Sequence, residues 1–187
     1  MQKSADVPIV LPRRSQRVPL SVPDIVALDQ ALLKIFELIR ILRQGSPAAE
    51  HIKYPSIPAV FTESLAILNT ERFFGSGWKA RFGGNVADII IERDGCTSRK
   101  IEIKATGRHA FQEFKTNDLS ADAVVWFRFG ARYETGTGSV EVSIIDQLGR
   151  YLARPCRLDT RRFQAVPGIA ESQRLIVFQK FEDLLAP

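Results

Sequence analysis

Apolar residues recur along this chain at two periods, and the change from one to the other divides it. Between Ser21 and Pro47, Ile25, Leu28, Leu32, Ile35, Ile39 and Leu42 return at three- and four-residue intervals. Leu33, Phe36 and Leu38 widen that stripe, and the pattern predicts a long amphipathic helix. Pro23 and Asp24 mark its start, and Gly45 and Pro47 its end. So apolar a helix cannot stand in water on one narrow seam; it covers a core or builds a dimer interface. A connector with Pro47, Pro55 and Pro58 follows, and a second helix is predicted over 59–73, with Phe61, Leu65, Leu68 and Arg72 along one side.

From Gly75 the period shortens to two. Strands are predicted over 78–82, 85–93, 99–106, 121–129 and 139–146, and a short helix or structured loop over 109–115. Leu175–Phe178 reads as a further strand, and 181–185 as a short terminal helix. The order predicts an α/β fold, a central mixed sheet flanked by helices, with an added N-terminal helix. A chain of 187 residues holds one full core and not two comfortable ones. Residues 1–22, with Pro8, Pro12 and Pro19 among Arg13, Arg14 and Arg17, are expected to form a basic flexible arm, leaving 23–187 as a single domain.

Charge interrupts two of these strands in a regular way. Asp88 precedes a triple isoleucine, and Glu102 and Lys104 alternate with isoleucines in Lys100–Ala105. Side chains two apart on a strand share a face, so Glu102 and Lys104 point the same way. Two carboxylates suit a hard divalent cation, and a neighbouring ammonium can orient water or steady a phosphate. Asp88 shares their face only when it lies opposite an even-numbered residue. A three-residue connection Gly95-Cys96-Thr97 places it opposite Lys104, whereas a two-residue turn at Asp94-Gly95 places it opposite Ile101 and turns Glu102 away.

This constellation resembles the PD-(D/E)xK nuclease superfamily over roughly residues 60–145. Asp88 matches the aspartate of the first motif and Glu102 and Lys104 its Glu-x-Lys, while Ala87 stands where the family name has proline. The resemblance implies a restriction-endonuclease-like core and a Mg2+-dependent endodeoxyribonuclease, with Mn2+ as a possible substitute. It gives Asp88 and Glu102, with the Ile103 carbonyl, the metal. Lys104 takes the attacking water. A further acidic group comes from the preceding helix, with Glu63 in position and Glu71 as competitor, and Gln112 is a candidate after the motif. Restriction of double-stranded DNA by a homodimer, paired in part through the helix at 23–43, is the leading expectation. A repair or recombination nuclease, or a non-catalytic nucleic-acid-binding module on the same fold, is the alternative.

Composition narrows the rest. A net charge of +5 leans toward a polyanionic partner. Two cysteines, Cys96 and Cys156, make no disulfide scaffold or CxxC motif, and two histidines, His51 and His109, argue against zinc. No Gly-x-Ser-x-Gly and no P-loop lysine is present, which disfavours serine hydrolysis and nucleotide binding. No stretch has the length of a membrane span and no secretory signal is evident, so a cytoplasmic location is expected. The densest basic stretch, Arg150 to Arg162, reads either as phosphate contacts or as a solvated face.

Overall fold

The computed structural model describes residues 17–108, 111–136 and 138–186. Helix α1 (Val22–Gly45) starts at a reciprocal cap, in which Ser21 and Asp24 each accept the other's backbone N–H. Its predicted wide stripe is two faces. Ile25, Leu32, Phe36 and Ile39 are buried against the core, while Ile35, Leu38, Ile41 and Leu42 face outward. The single helix predicted over 59–73 is divided into α2 (Ala59–Leu68) and α3 (Thr70–Phe74). Asn69 causes the break, because its side-chain amide donates to the Leu65 and Leu184 carbonyls, both at 2.9 Å.

The strands and helices that follow are β1 (Lys79–Phe82), β2 (Ile89–Glu92), β3 (Arg99–Thr106), β4 (Gln112–Phe114), α4 (Thr116–Ser120), β5 (Ala123–Arg128) and α5 (Gly130–Tyr133). After them come β6 (Val140–Asp146), β7 (Cys156–Leu158), α6 (Thr160–Gln164), α7 (Ile169–Ser172) and β8 (Arg174–Phe178), and a 3-10 turn at Phe181–Leu184. Among the described residues a six-stranded mixed sheet runs β1-β2-β3-β5-β6-β8. β1, β2 and β3 form an antiparallel meander, β3 and β5 are parallel, and β5-β6-β8 are antiparallel again.

Two expectations change here. The strand predicted over 85–93 begins only at Ile89, because Gly83 and Gly84 turn the chain and the Val86 N–H closes back on the Gly83 carbonyl at 3.3 Å. The segment predicted as helix or loop over 109–115 contains strand β4, which pairs with β7 in a small second sheet; His109 and Ala110 lie outside the described residues. β7 and α6 both fall within the basic stretch from Arg150 to Arg162.

The central strands β5 and β6 are buried on both faces, while β1 and β8 at the edges are partly exposed. Odd-numbered Ile101, Ile103, Val125 and Phe127 pack with Val142, Ile144 and the inner side of α1 and α2. On the other face Val124, Trp126 and Ile145 meet Phe114 of β4 and Phe163 of α6. Double burial explains why β5 reads as an unbroken apolar run. Truncating a filled position such as Phe36 to alanine costs about 3–5 kcal/mol in cores of this kind. α1 is also pinned by charge: buried Asp29 accepts from Arg132 Nε at 2.7 Å and from the Tyr133 hydroxyl at 2.9 Å, both on α5. Among the described residues no helix is long and apolar enough to cross a membrane.

Candidate active site

The register of β2 on β3 decides whether the sequence motif converges. Ile89 lies opposite Ile101, so one further step brings Asp88 in line with Glu102. The link is neither of the two expected: residues 93–98 form a longer loop, with a turn closed by the Cys96 N–H on the Arg93 carbonyl and Gly95 at φ +72°. Parity is even, as the shared face requires, but the partner of Asp88 is Glu102 and not Lys104.

Asp88 stands just before β2, where its Oδ2 accepts the Ile103 N–H at 2.7 Å. Lys100 and Thr106 turn their carbonyls to the β5 side, where the Asp122 and Phe129 N–H groups meet them. Odd-numbered Ile103 therefore presents both its N–H and its carbonyl to the β2 side, beyond the end of that strand, where Asp88 waits. The approach depends on Gly83, whose N–H donates to the Asp88 carbonyl at 3.0 Å. A Cβ on Gly83 would sit 2.4 Å from the Ala87 oxygen, so only glycine fits.

Burial then sets the electrostatics. Glu102 is 8% exposed, and desolvation pushes its carboxyl up. Asp88 adds to this by repulsion and by a hydrogen bond between the two carboxyls; Lys104 opposes the rise and Asp118 reinforces it, and the carboxyl reaches about 7. The Lys104 ammonium lies 2.7 Å from Oδ1 of Asp118 on α4. Asp118 is fully buried and its Oδ2 accepts the Lys115 N–H at 2.6 Å, so it caps α4 and holds Lys104 at once.

Asp118 is the residue that sequence reasoning missed. Its one signal, an acidic residue in the first turn of a short helix, is indistinguishable from an ordinary cap.

Glu63 reaches the same neighbourhood from α2. It is nearly fully buried, and desolvation and Asp88 both push its carboxyl up, against the pull of Arg17, which lies 2.7 Å away. Arg17 also stacks over the Phe82 ring at 4.7 Å, and the Leu20 N–H donates to the Ser64 hydroxyl at 2.9 Å. The end of the basic arm is thus docked on α2, while residues 1–16 lie outside the described residues. Glu71 is elsewhere, accepting the Gly77 N–H at 2.9 Å. Gln112 sits in the small sheet opposite Leu158, with its amide on the Glu113 carbonyl, and is not among the groups acting on Glu102.

Four carboxyl groups, Glu63, Asp88, Glu102 and Asp118, therefore share two cations, Arg17 and Lys104. Among the described residues no three Asp, Glu, His or Cys side chains form a closed metal cage. Two adjacent carboxyls and a backbone carbonyl suit instead an open oxygen site of the kind Mg2+ prefers, since that ion keeps several waters. The repulsion from Asp88 that helps raise Glu102 marks where a cation would relieve it. No protein-family model, no curated protein and no solved structure matches the chain.

Proposed function

We propose that this protein is a Mg2+-dependent endodeoxyribonuclease on a restriction-endonuclease-like core, acting on double-stranded DNA in the cytoplasm. The observation that carries the reading is the convergence of Asp88, Glu102 and Lys104 at one strand end, with Glu102 pushed up to about 7. The element order supports it: helix, three antiparallel strands bearing the acidic pair, a short helix, then a strand parallel to the third.

Asp88, Glu102 and the Ile103 carbonyl would hold the ion. Bound there, Mg2+ supplies Lewis-acid stabilisation of charge developing on the phosphate. Lys104, oriented by Asp118, holds the attacking water and the phosphate oxygen it approaches. In the hydrolysis, the water oxygen bonds to phosphorus and releases a proton to solvent, the bridging P–O bond breaks, and the departing oxygen takes a proton from solvent. Glu63 sets the charge at Asp88 from behind, with Arg17 as its counter-ion. Restriction of foreign duplexes is the role proposed, with repair or recombination as the alternative on the same chemistry.

Incubation of plasmid and linear duplexes with Mg2+ and with chelator is the test. Discrete fragments with Mg2+ support restriction, and junction-selective nicking supports recombination. No cleavage with Mg2+ or Mn2+ overturns the enzyme and leaves a nucleic-acid-binding module.

We also propose that two copies pair through α1. Ala31, Ile35, Leu38 and Leu42 repeat at three and four residues along its outer side, the spacing of a coiled-coil seam, and all four are exposed, whereas Leu28 packs against the core. Sedimentation at micromolar concentration should show a dimer that Leu38→Glu dissociates.

A further inference from the structure

A second polar cavity, of about 320 Å³, opens at the C-terminal ends of the parallel strands β3 and β5. Thr106, Arg108, Arg128, Glu141, Thr160 and Gln164 contribute to its wall. Thr106 is four residues beyond Glu102 on β3, which puts it roughly 13 Å along the strand from the acidic pair. Crevices outside the carboxyl ends of strands are where open α/β sheets commonly take ligands.

Arg128 is the anomalous group. It is 6% exposed, and its Nε and Nη2 both contact a single oxygen of Glu141, at 3.0 and 2.9 Å. Its Nη1 is buried and has no partner among the described residues. Burial pulls the guanidinium down and Glu141 only partly opposes this. A guanidinium placed here for packing alone would be replaceable by an apolar side chain of similar size, and an orphaned donor calls for an acceptor.

The neighbours are donors too. The Thr106 hydroxyl accepts from Trp126 Nε1 at 3.3 Å, which leaves its own O–H to give. Arg108 has Nε and Nη2 at 3.4 and 3.2 Å from one Glu134 oxygen, and its guanidinium stacks over the Tyr54 ring at 4.6 Å. Thr160 and Gln164 add a hydroxyl and an amide from α6.

We propose that this cavity binds a phosphate group. Several oxygens in a tetrahedral array match the Nη1 groups of the two guanidiniums, whose Nε and Nη2 atoms are held by Glu141 and Glu134, and two hydroxyls. Glu141 stays in the wall, so a singly charged phosphodiester suits the cavity better than a doubly charged terminal phosphate. The source favoured is therefore a backbone phosphate of nucleic acid, and α6 at the end of the basic stretch gains a role in holding it. The cavity is separate from the acidic pair, and its test runs without metal, so either proposal can fail alone.

The experiment measures binding of fluorescent duplex oligonucleotides, with 5′-hydroxyl or 5′-phosphate ends, in chelator across a salt series. Arg108→Ala and Arg128→Met should each weaken binding about tenfold and lower the salt slope by about one phosphate contact. Arg40→Ala, a similarly exposed arginine on α1, should leave the slope unchanged. Equal binding of the two end types supports the backbone phosphodiester; a preference for 5′-phosphate that Arg108→Ala abolishes keeps the phosphate cavity and moves its source to strand ends. Should Arg128→Met fail to fold, Arg108→Ala and Gln164→Ala, at partly or fully exposed positions, decide the question. Unchanged affinity and slope in those two variants overturn the proposal.

Discussion

Two of the buried charged groups described above, one between α1 and α5 and one at the end of β2, are built in opposite ways. Between α1 and α5, Asp29 is answered by the Arg132 fork and the Tyr133 hydroxyl, so charge and hydrogen bonds are both balanced. At the end of β2, four carboxyls share two cations, and Glu102 keeps a proton up to about pH 7. Burial is common to both. What differs is whether the protein itself supplies the counter-charge. The balanced group locks a helix to the sheet, while the acid-rich one carries more carboxyls than cations and is the proposed cation site.

The sharpest break of this contrast is catalytic. Asp88→Ala and Glu102→Ala should each lower plasmid cleavage by about a thousandfold or more, roughly 4 kcal/mol of barrier, with duplex binding retained or tightened. Lys104→Ala should leave more residual rate, since solvent can partly take its place. Near-normal cleavage in either acidic variant, read by gel against Mg2+ concentration, would place the acid-rich group with the structural one.

Next in size is the balanced cluster. Asp29→Ala strands a buried guanidinium and should cost about 3–5 kcal/mol in urea denaturation, whereas Asp29→Leu with Arg132→Met should recover most of it. A cost under 1 kcal/mol for the single change would show that the pair is not what fixes α1.

A third effect has a definite sign with pH. The Glu102 carboxyl is raised in the folded protein from 4.5 to about 7, so its contribution to stability is complete below pH 4.5. It is lost as pH climbs to 7, because the folded state must surrender a proton that the unfolded state has already released. Glu102→Gln should therefore stabilise the metal-free protein by up to about 3 kcal/mol at pH 8 and by almost nothing at pH 4. Asp88 raises Glu102 by repulsion and by a hydrogen bond, so Asp88→Asn should shrink the same pH slope. A slope identical in wild type and both variants would remove the strain from the acidic site.

Smallest is Arg17→Ala. That arginine is half exposed, and its loss should cost no more than about 1 kcal/mol by thermal unfolding.

How far the residues announced all this varies with the distance over which each feature is decided. β3 runs over 99–106 as its alternation predicts, and the ends of α1 follow from Pro23, Asp24 and Gly45. Those signals are local. The pairing of Asp88 with Glu102 is not, since it depends on how the six residues 93–98 are spent between turn and extended chain. Parity matched what a shared face for Asp88, Glu102 and Lys104 requires, but the partner could not be counted from the linker. Asn69 broke a predicted helix through a bond to Leu184, more than a hundred residues on. β4 was missed because its partner β7 lies some forty residues later, and three residues carry too little periodicity to show a strand. The bond from Arg132 to Asp29 spans 103 positions, and neither residue looks unusual where it stands.

Gly83 offers a handle of a different kind. It carries no charge and no side chain, yet one added carbon atom there collides with the chain that delivers Asp88. Gly83→Ala is thus a way to silence the site while keeping every ionisable group in the molecule. A protein so altered would separate what depends on the position of a carboxylate from what depends on the charge it brings.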